Sequence, residues 1–245
     1  VKLEVTPKIA VYSPEGKQPW DDAVTLVLTY AEIPYDVVYD TKILTGELPK
    51  YDWLHLHHED FTGQYGKFYR AYRSAAWYQE EVARQSGTAE IMGFQKVSEM
   101  KRSVAQDIRD FVLGGGFLFT MCSGTDSYDI ALAAQEVDIC GPMFDGDVAD
   151  PAAQSKMQFD AGLAFQDYQL EMDPLVYEFS EIDGTKDHSD IKPINDFFTL
   201  FDFSAKWDIV PTMLTQSHER VIAGFMGQTT SFRKEFIRPD VTVMG

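Results

Sequence analysis

The chain has 245 residues, of which 44% are hydrophobic and 24% charged, and its 39 acidic and 21 basic side chains give a formal net charge of −18. This composition excludes disordered, collagen-like and disulfide-scaffold proteins, and the length suits one large α/β domain or two small ones. The negative field repels phosphate backbones and anionic membranes, so nucleic acid is not expected as a partner. No apolar run approaches the roughly 20 residues that span a bilayer, so no transmembrane segment is expected.

Short apolar runs separated by helical patterns predict an open, mostly parallel sheet. Residues 8–13 predict a first buried strand, residues 35–39 a second and residues 52–57 a third. A helix is predicted between the first two, opened by Pro19 and the acidic pair Asp21-Asp22. Strands that alternate with helices favour parallel pairing through right-handed crossovers.

Residues 60–100 interrupt this alternation with an aromatic-rich helical stretch, which predicts an insertion packed over one end of the sheet. Its aromatic side chains indicate a core cluster more than a binding surface. Helical spacing continues over residues 97–112 and stops at the glycines 114–116. The apolar segment 117–121 predicts the next strand, and residues 126–134 the helix that follows it.

The second half of the chain is less regular. Residues 142–158 are rich in Asp, Gly and Ala and predict a loop. Strand-like pieces then predict antiparallel additions at the sheet edge, at residues 175–179, 197–203, 210–214, 221–226 and 241–244. No linker divides the chain, so a single domain over residues 1–245 is expected.

Cys122 is the first candidate site residue because it lies between an apolar strand and a helix. Such a turn lifts its side chain above the carboxyl-terminal edge of the sheet, where open α/β sheets bind ligands. The unpaired N–H groups at the start of the helix favour the thiolate and can hold an oxyanion. The sequence therefore predicts Cys122 as a nucleophile at the end of a central strand, with strained or positive backbone dihedrals. The N–H groups of Ser123 and Gly124 are the expected oxyanion donors.

The other cysteine, Cys140, is expected to be a small buried residue. A disulfide to Cys122 is not expected, because the helix between them spans roughly 13 Å and bridged α-carbons lie within about 7 Å.

A polar cluster follows the third strand, from His55 to Asp60. His57 or His58 could act as general base for Cys122. With Glu59 and Asp60 they could also form a metal site of mixed nitrogen and oxygen ligands, or they could be hydrogen-bonded structural residues.

The expected binding residues are Glu59, Asp60, Gly63 and Gln64, with residues 63–66 as a movable rim. Because the carboxyl ends of parallel strands share one edge, these residues are expected to border the same cleft as Cys122. This site is expected to take a small-molecule or protein ligand, without a cofactor or metal. A further His–acid pair, His218-Glu219, lies in a predicted hairpin turn.

Residues 114–124 resemble the nucleophile segment of the class I glutamine amidotransferase-like superfamily. The helix, the glycine stop, the apolar strand, the cysteine and the glycine two residues later all match, whereas Thr120 stands where that segment usually has glycine. The resemblance implies a three-layer, flavodoxin-like fold. The same fold resemblance includes the trehalose-utilisation (ThuA) family, which often has no nucleophile at this turn.

A resemblance over nearly the whole chain is carried by residues 19–26, 52–66 and 224–230. These segments look like a family of Bacteroidota proteins that is commonly labelled asparagine synthetase B. The chain shows no ATP-pyrophosphatase loop, amino-terminal cysteine nucleophile or synthetase domain, so asparagine synthetase activity is not expected. Members of that family begin with an export signal and continue into a Gly-Gly-His-Asp-type segment. The resemblance thus implies a periplasmic or envelope protein, with a histidine partner for Cys122 beyond Gly245.

Two functions are therefore expected as alternatives. The first is a Cys-dependent hydrolase or amidotransferase-like activity on a small amide or carbohydrate-derived substrate. The second is a non-catalytic envelope protein that retains the fold and uses the cleft or the aromatic insertion to bind a partner. An exposed Cys122 sulfur within hydrogen-bond reach of an imidazole favours the enzyme, and a sulfur sealed under apolar side chains favours the binding protein. The sequence fixes no oligomeric state.

Overall fold

The computed structural model describes residues 6–14, 23–184, 197–199, 221–223 and 232–243. Four strands form an all-parallel sheet in the order β2-β1-β3-β4. Their bounds are Ile9–Tyr12 for β1, Tyr35–Val38 for β2, Trp53–Leu56 for β3 and Phe117–Thr120 for β4. The predicted parallel α/β sheet is confirmed, and its strand order is compatible with a flavodoxin-like fold.

Eight α-helices lie in the described residues. They are α1 Ala23–Tyr30, α2 Asp40–Leu44, α3 Tyr69–Tyr72, α4 Ala76–Ile91, α5 Val97–Leu113, α6 Ser123–Ala133, α7 Pro142–Asp145 and α8 Ala153–Lys156. Short 3-10 turns lie at Leu48–Lys50, Tyr65–Lys67, Phe159–Ala161 and Lys234–Phe236. None of the described helices is long and apolar enough to cross a bilayer.

The core forms because β1 is apolar along its whole length and α5 presents one apolar face. All residues of β1 are buried. On α5, Met100, Val104 and Ile108 recur at helical spacing and are fully buried. α5 ends as predicted at the glycines, where Gly115 takes a φ of 100° that L side chains rarely adopt. This packing fixes the sheet whose carboxyl-terminal edge carries the candidate site.

The strand before Cys122 is not central among the described strands. β4 pairs only with β3 in the described sheet and lies at its edge. Its outward side chains are accordingly open, with Phe117 57% and Phe119 42% exposed. The prediction of a central strand is therefore wrong for this sheet, although the parallel pairing is right.

The insertion is helical, as predicted, and contains α3, α4 and the start of α5. Its aromatic rings pack mainly on one another: the Trp77 ring centroid lies 5.1 Å from that of Tyr72 and 5.8 Å from that of Tyr78. The interpretation as core holds in part: Tyr78 is buried, whereas Tyr72 is 41% exposed and the rings of Phe68 and Trp77 line a cavity.

Three expectations for the second half need correction. The predicted loop 142–158 contains α7 and α8, and the predicted strand 175–179 is a turn region. Residues 241–243 form no strand either. Antiparallel strands do form at Phe197–Thr199 (β5) and Val221–Ala223 (β6), but they pair with each other in a separate two-stranded sheet. Residues 210–214 and 218–219 lie outside the described part of the chain, so the predicted strand and the His218-Glu219 pair stay predictions.

Candidate functional site

The segments that follow β3 and β4 meet at the carboxyl-terminal edge of the sheet. Leu56 lies opposite Thr120 where the two parallel strands end. Beyond this point the Ser123 hydroxyl donates to the carbonyl oxygen of His58 at 3.0 Å, and the Ser127 hydroxyl to that of Glu59 at 3.0 Å. The predicted shared edge for the histidines and the cysteine is confirmed.

The backbone at Cys122 is strained. Its φ of 51° and ψ of −145° lie in a region that glycine occupies easily and other residues occupy at a cost of about 1–3 kcal/mol. Its side chain is half-buried and its thiol is free. The predicted strand-to-helix turn with a positive φ is therefore confirmed.

Two close contacts hold this turn in place. The Thr120 and Thr125 hydroxyl oxygens lie 3.0 Å apart, so a side-chain hydrogen bond joins the end of β4 to the first turn of α6. A Cβ at Gly124 would lie 2.7 Å from the carbonyl oxygen of His57, so this position needs glycine. Thr120, which replaces the glycine of the resembled segment, thus has a structural part in the turn.

The expected oxyanion donors are only partly placed as predicted. The Gly124 N–H donates to the carbonyl oxygen of His57 at 3.3 Å, so its assignment as an oxyanion donor is wrong for this structure. The Ser123 N–H, the first of α6, has no acceptor among the described residues. The N–H of Cys122 likewise has no acceptor among the described residues, so two backbone donors are left at the turn.

His57 and His58 form a hydrogen-bonded pair. Their Nδ1 atoms lie 2.5 Å apart, and the backbone N–H of His57 donates to Glu59 Oε2 at 3.0 Å. Because one Nδ1 must donate and the other accept, one neutral ring carries a basic Nε2 and the other an Nε2–H. The pair thus contains both a proton acceptor and a proton donor. No hydrogen bond joins the Cys122 sulfur to either described imidazole.

Asp60 organises the loop that follows the histidines. Its Oδ1 accepts from the N–H and the hydroxyl of Thr62, each at 2.6 Å, and its Oδ2 accepts from the N–H of Gly66 at 3.1 Å. The carboxylate is therefore already engaged by the loop, and its first effect is to fix the loop's conformation.

Gly63 and Gln64 do not form a movable rim. Both lie in the buried segment 59–67. Gly63 has a φ of 86°, and a Cβ there would lie 2.7 Å from the Cα of Ser98 on α5. The predicted flexible loop packs directly on α5. Gly63 and Gln64 therefore hold the loop in position and do not line the cavity.

A cavity of about 50 Å³ lies between the strand ends and the insertion. A single water needs only about 10–15 Å³ on this measure, so the space suits a small group or several waters. Its walls combine carboxyl, amide and aromatic groups: Pro14, Tyr39, His58, Glu59, Asp60, Tyr65, Gly66, Phe68, Trp77, Tyr78, Glu81 and Gln85. Three predicted residues, His58, Glu59 and Asp60, thus border a cleft, whereas Cys122 is outside its wall.

A buried charged network under this cavity was missed by the sequence analysis. The Lys101 ammonium, 1% exposed, donates to Asp40 Oδ2 at 2.8 Å, to the Tyr12 hydroxyl at 2.9 Å and to the Tyr39 hydroxyl at 3.2 Å. The Tyr12 hydroxyl in turn donates to the Asp40 carboxylate. Burial opposes the charge of Lys101, but the adjacent Asp40 and Tyr39 prevail and raise its pKa above the usual value. Lys101 lies at helical spacing from Val97, Val104 and Ile108, so a charge on an apolar helix face was the available signal.

Cys140 is free and fully buried, and its thiol donates to the carbonyl oxygen of Thr62 at 3.3 Å. Burial and nearby carboxylates raise the pKa of this thiol well above its usual value. Both the buried position and the absence of a disulfide to Cys122 are as predicted.

A mixed metal site is one of the open interpretations of residues 57–60, and the structure does not bring these residues together as a ligand set. Within the described residues, the group whose ligand atoms lie close enough for a metal is Asp138, Cys140 and Asp145, and it includes none of the residues 57–60. Lys96 Nζ already lies 2.5 Å from Asp138 Oδ2 and 3.4 Å from Asp145 Oδ2. The group is therefore an ion-pair cluster with its own cation.

No known protein family, no curated protein and no solved structure matches the chain. The resemblances drawn from the sequence thus stay predictions, and the functional argument depends on the geometry of the site.

Proposed function

We propose that this chain is a cysteine-dependent hydrolase or amidotransferase-like enzyme whose nucleophile is Cys122. The observation that carries the proposal is the φ of 51° and ψ of −145° at this residue. Glycine would hold this turn at a lower free energy, and strained backbone concentrates at functional sites, which supports a use for the Cys122 thiol. The half-buried side chain and the position between a parallel strand and a helix support the same conclusion.

The His57–His58 pair supplies acid and base in this proposal. One imidazole takes the proton of the Cys122 thiol, and the sulfur attacks the carbonyl carbon of a small amide. The Ser123 N–H stabilises the negative oxygen. The other imidazole protonates the departing nitrogen, which leaves as ammonia or an amine, and water then hydrolyses the thioester to the carboxylic acid and the free thiol. The hydrogen bond between thiol and imidazole forms when substrate binds, as such bonds often tighten in the bound complex.

The cavity beside His58 would hold the part of the substrate that does not react. Its small volume excludes large ligands, and its mixture of aromatic faces, carboxylates and an amide suits a small polar molecule. Tyr39 forms part of one wall, and the Lys101 ammonium, 4.5 Å from the centre of its ring, helps to hold that ring in place. A small amide or a carbohydrate-derived amide fits this chemistry.

The proposal is tested by measuring ammonia release from glutamine, asparagine and an N-glycosyl amide. We expect turnover of at least one of them by the natural chain and none by Cys122→Ser, while Cys140→Ser retains the rate. Cys140 is the matched control because it is the other free thiol and is sealed in the core. Turnover that survives Cys122→Ser would refute the nucleophile assignment.

The alternative is a non-catalytic envelope protein that binds a ligand in the same cavity. One observation favours it: the cavity wall includes His58, Glu59 and Asp60 but not Cys122, so binding there does not require the thiol. Equal ligand affinity of the natural chain and Cys122→Ala, with no turnover by either, would support this function. Loss of affinity in Glu81→Gln would confirm the cavity as the binding site.

A further inference from the structure

A second and larger cavity lies at the opposite edge of the sheet. Its volume is about 600 Å³, within the range of about 300–1,000 Å³ that small-molecule sites occupy. It is bordered by Asp52, which precedes β3, and by Gly116, which precedes β4. We call it the amino-edge groove, and its walls are Ile43, Leu44, Gly46, Leu48, Pro49, Tyr51, Asp52, Asp107, Asp110, Phe111 and residues 114–116.

The groove has an apolar floor. Ile43 and Leu48 are almost fully buried beneath it, and the Phe111 ring forms part of the wall. Gly116 allows this arrangement, because a Cβ at that position would lie 2.3 Å from the ring of Phe111. Ile43 and Leu48 are already out of water, so an apolar ligand body placed here would cover the half-buried side chains of Leu44, Tyr51 and Phe111, which is favourable at about 25 cal/mol per Å².

The polar groups of the groove are acidic. Asp52, Asp107 and Asp110 line it, and none of the described lining residues is basic. Asp52 Oδ2 already accepts the backbone N–H of Lys8 at 2.8 Å and Asp110 Oδ1 the Gln106 amide at 3.0 Å, whereas no hydrogen bond or ion pair from described residues reaches Asp107. Partial burial and then the neighbouring Asp110 raise the pKa of Asp107 above its usual value.

The same end of the groove is the carboxyl terminus of α5. A helix carries a partial negative charge at this end, where basic side chains are favourable and acidic ones are not. The last turn of α5 nevertheless contains Asp110 and no basic residue. The N–H groups of residues 114–116 already bond to the carbonyl groups of residues 110–112, so the unfavourable charge at this helix end is the Asp110 carboxylate.

We infer that the amino-edge groove binds a small organic cation with an apolar body, such as an arylalkyl amine. The ammonium lies between Asp107 and Asp110 at the end of α5, and the body lies on Leu44, Tyr51 and Phe111. The ligand class follows from the combination of an apolar floor, an acidic wall and a helix carboxyl terminus. This site is separate from Cys122 and does not depend on the proposed catalytic activity.

The test is titration of the full chain with 4-phenylbutylamine, and with 4-phenylbutanol as its uncharged counterpart, by calorimetry at low salt. We expect the amine to bind at least about tenfold more tightly than the alcohol, and Asp107→Asn/Asp110→Asn to remove most of that difference. Glu136→Gln is the matched control, because it changes the charge of an exposed residue outside the groove. It should leave both affinities unchanged.

Each other result overturns the inference. Equal binding of amine and alcohol would show an apolar groove without cation selectivity. Amine binding that Asp107→Asn/Asp110→Asn leaves intact, or that Glu136→Gln weakens equally, would show attraction to the net negative charge of the chain. No binding of the amine would show that the groove is not a site for this class of ligand.

Discussion

The two edges of the parallel sheet differ in how many strained residues and buried charges they contain. The carboxyl-terminal edge holds the strained Cys122, the buried pair of Lys101 and Asp40, and a loop whose glycines have positive φ angles. The amino-terminal edge has an open groove with an apolar floor and exposed acids. Strained backbone and buried charge persist only where the surrounding structure enforces them, and they concentrate at functional sites. The comparison therefore supports the proposal that places the chemistry at the carboxyl-terminal edge.

The largest expected effect concerns the buried pair under the carboxyl-terminal edge. Lys101→Met leaves Asp40 as an unpaired buried charge and should lower the free energy of unfolding by about 3–5 kcal/mol. The triple variant Lys101→Met/Asp40→Leu/Tyr12→Phe should recover most of this loss, since an apolar replacement avoids the desolvation of both charges. Denaturant unfolding measures both. Lys50→Met, which breaks an exposed ion pair with Glu47, is the control and should cost at most about 1 kcal/mol.

The second prediction tests whether the loop after the histidines is rigid. Gly63 and Gly93 have nearly equal φ angles, 86° and 87°, but a Cβ at Gly63 would lie 2.7 Å from Ser98 whereas one at Gly93 meets nothing within 4 Å. Gly93→Ala should therefore lower the free energy of unfolding by about 1–2 kcal/mol, the cost of a side chain at positive φ. Gly63→Ala should lower it by about 1–3 kcal/mol more, because the added methyl group overpacks against Ser98. Equal losses in thermal or urea unfolding would mean that the loop can move away from α5.

The third prediction concerns the pH dependence of stability near α6. Asp126 is 1% exposed and its Oδ1 has no hydrogen-bond partner among the described residues. Burial, and next the nearby Asp183, raise its pKa well above the usual value. The folded state therefore holds the Asp126 proton more tightly than the unfolded state does. Protonated Asp126 stabilises the fold fully below the pKa of the unfolded chain, and this stabilisation is lost as pH rises through the pKa of the folded chain.

Urea midpoints measured from about pH 4 upward should show this loss in the natural chain, since an unfolded aspartate titrates near 3.9. Asp126→Asn should remove this fall of the urea midpoint with rising pH, whereas Asp160→Asn, at an exposed residue, should retain it. A slope that Asp126→Asn leaves unchanged would show that another group causes it.

The smallest effect is expected at Cys122 itself. Glycine takes a positive φ without strain and alanine does not, so Cys122→Gly should be more stable than Cys122→Ala by about 1 kcal/mol. The two variants lack the thiol equally, so the difference in their urea midpoints reports the backbone strain less the unfolded-state entropy that favours alanine by about 0.4–1 kcal/mol. An alanine variant at least as stable as the glycine variant would mean that the turn holds at most about 1 kcal/mol of strain, and the argument for a functional cysteine would lose its basis.

Local patterns in the sequence were enough to predict the sheet and the Cys122 turn. β1, β3 and α5 follow from short apolar runs and helical spacing, and the turn follows from a strand that runs directly into a helix. The shared edge of Cys122 and His57 follows from parallel pairing, which short strands alternating with helices favour.

Tertiary contacts decided what the sequence could not predict. The Gly124 N–H bonds to a carbonyl group of the chain after β3, so its loss as an oxyanion donor depends on how two distant segments meet. Gly63 suggested a flexible loop, but its missing side chain instead permits close contact with Ser98. Lys101 was overlooked because its partner Asp40 lies 61 positions away in the sequence.

The most direct test of the central claim is the alkylation of the two free cysteines by iodoacetamide, followed by peptide mass mapping. In the native chain we expect Cys122 to react and Cys140 to remain unmodified, since the first is half-buried at the turn and the second is sealed in the core. Native Cys122 should also react faster than the same thiol in urea, and His57→Gln/His58→Gln should reduce that rate without a comparable loss of stability. A native Cys122 that reacts no faster than the unfolded thiol, or no faster than Cys140, would contradict the claim that this turn presents a nucleophile.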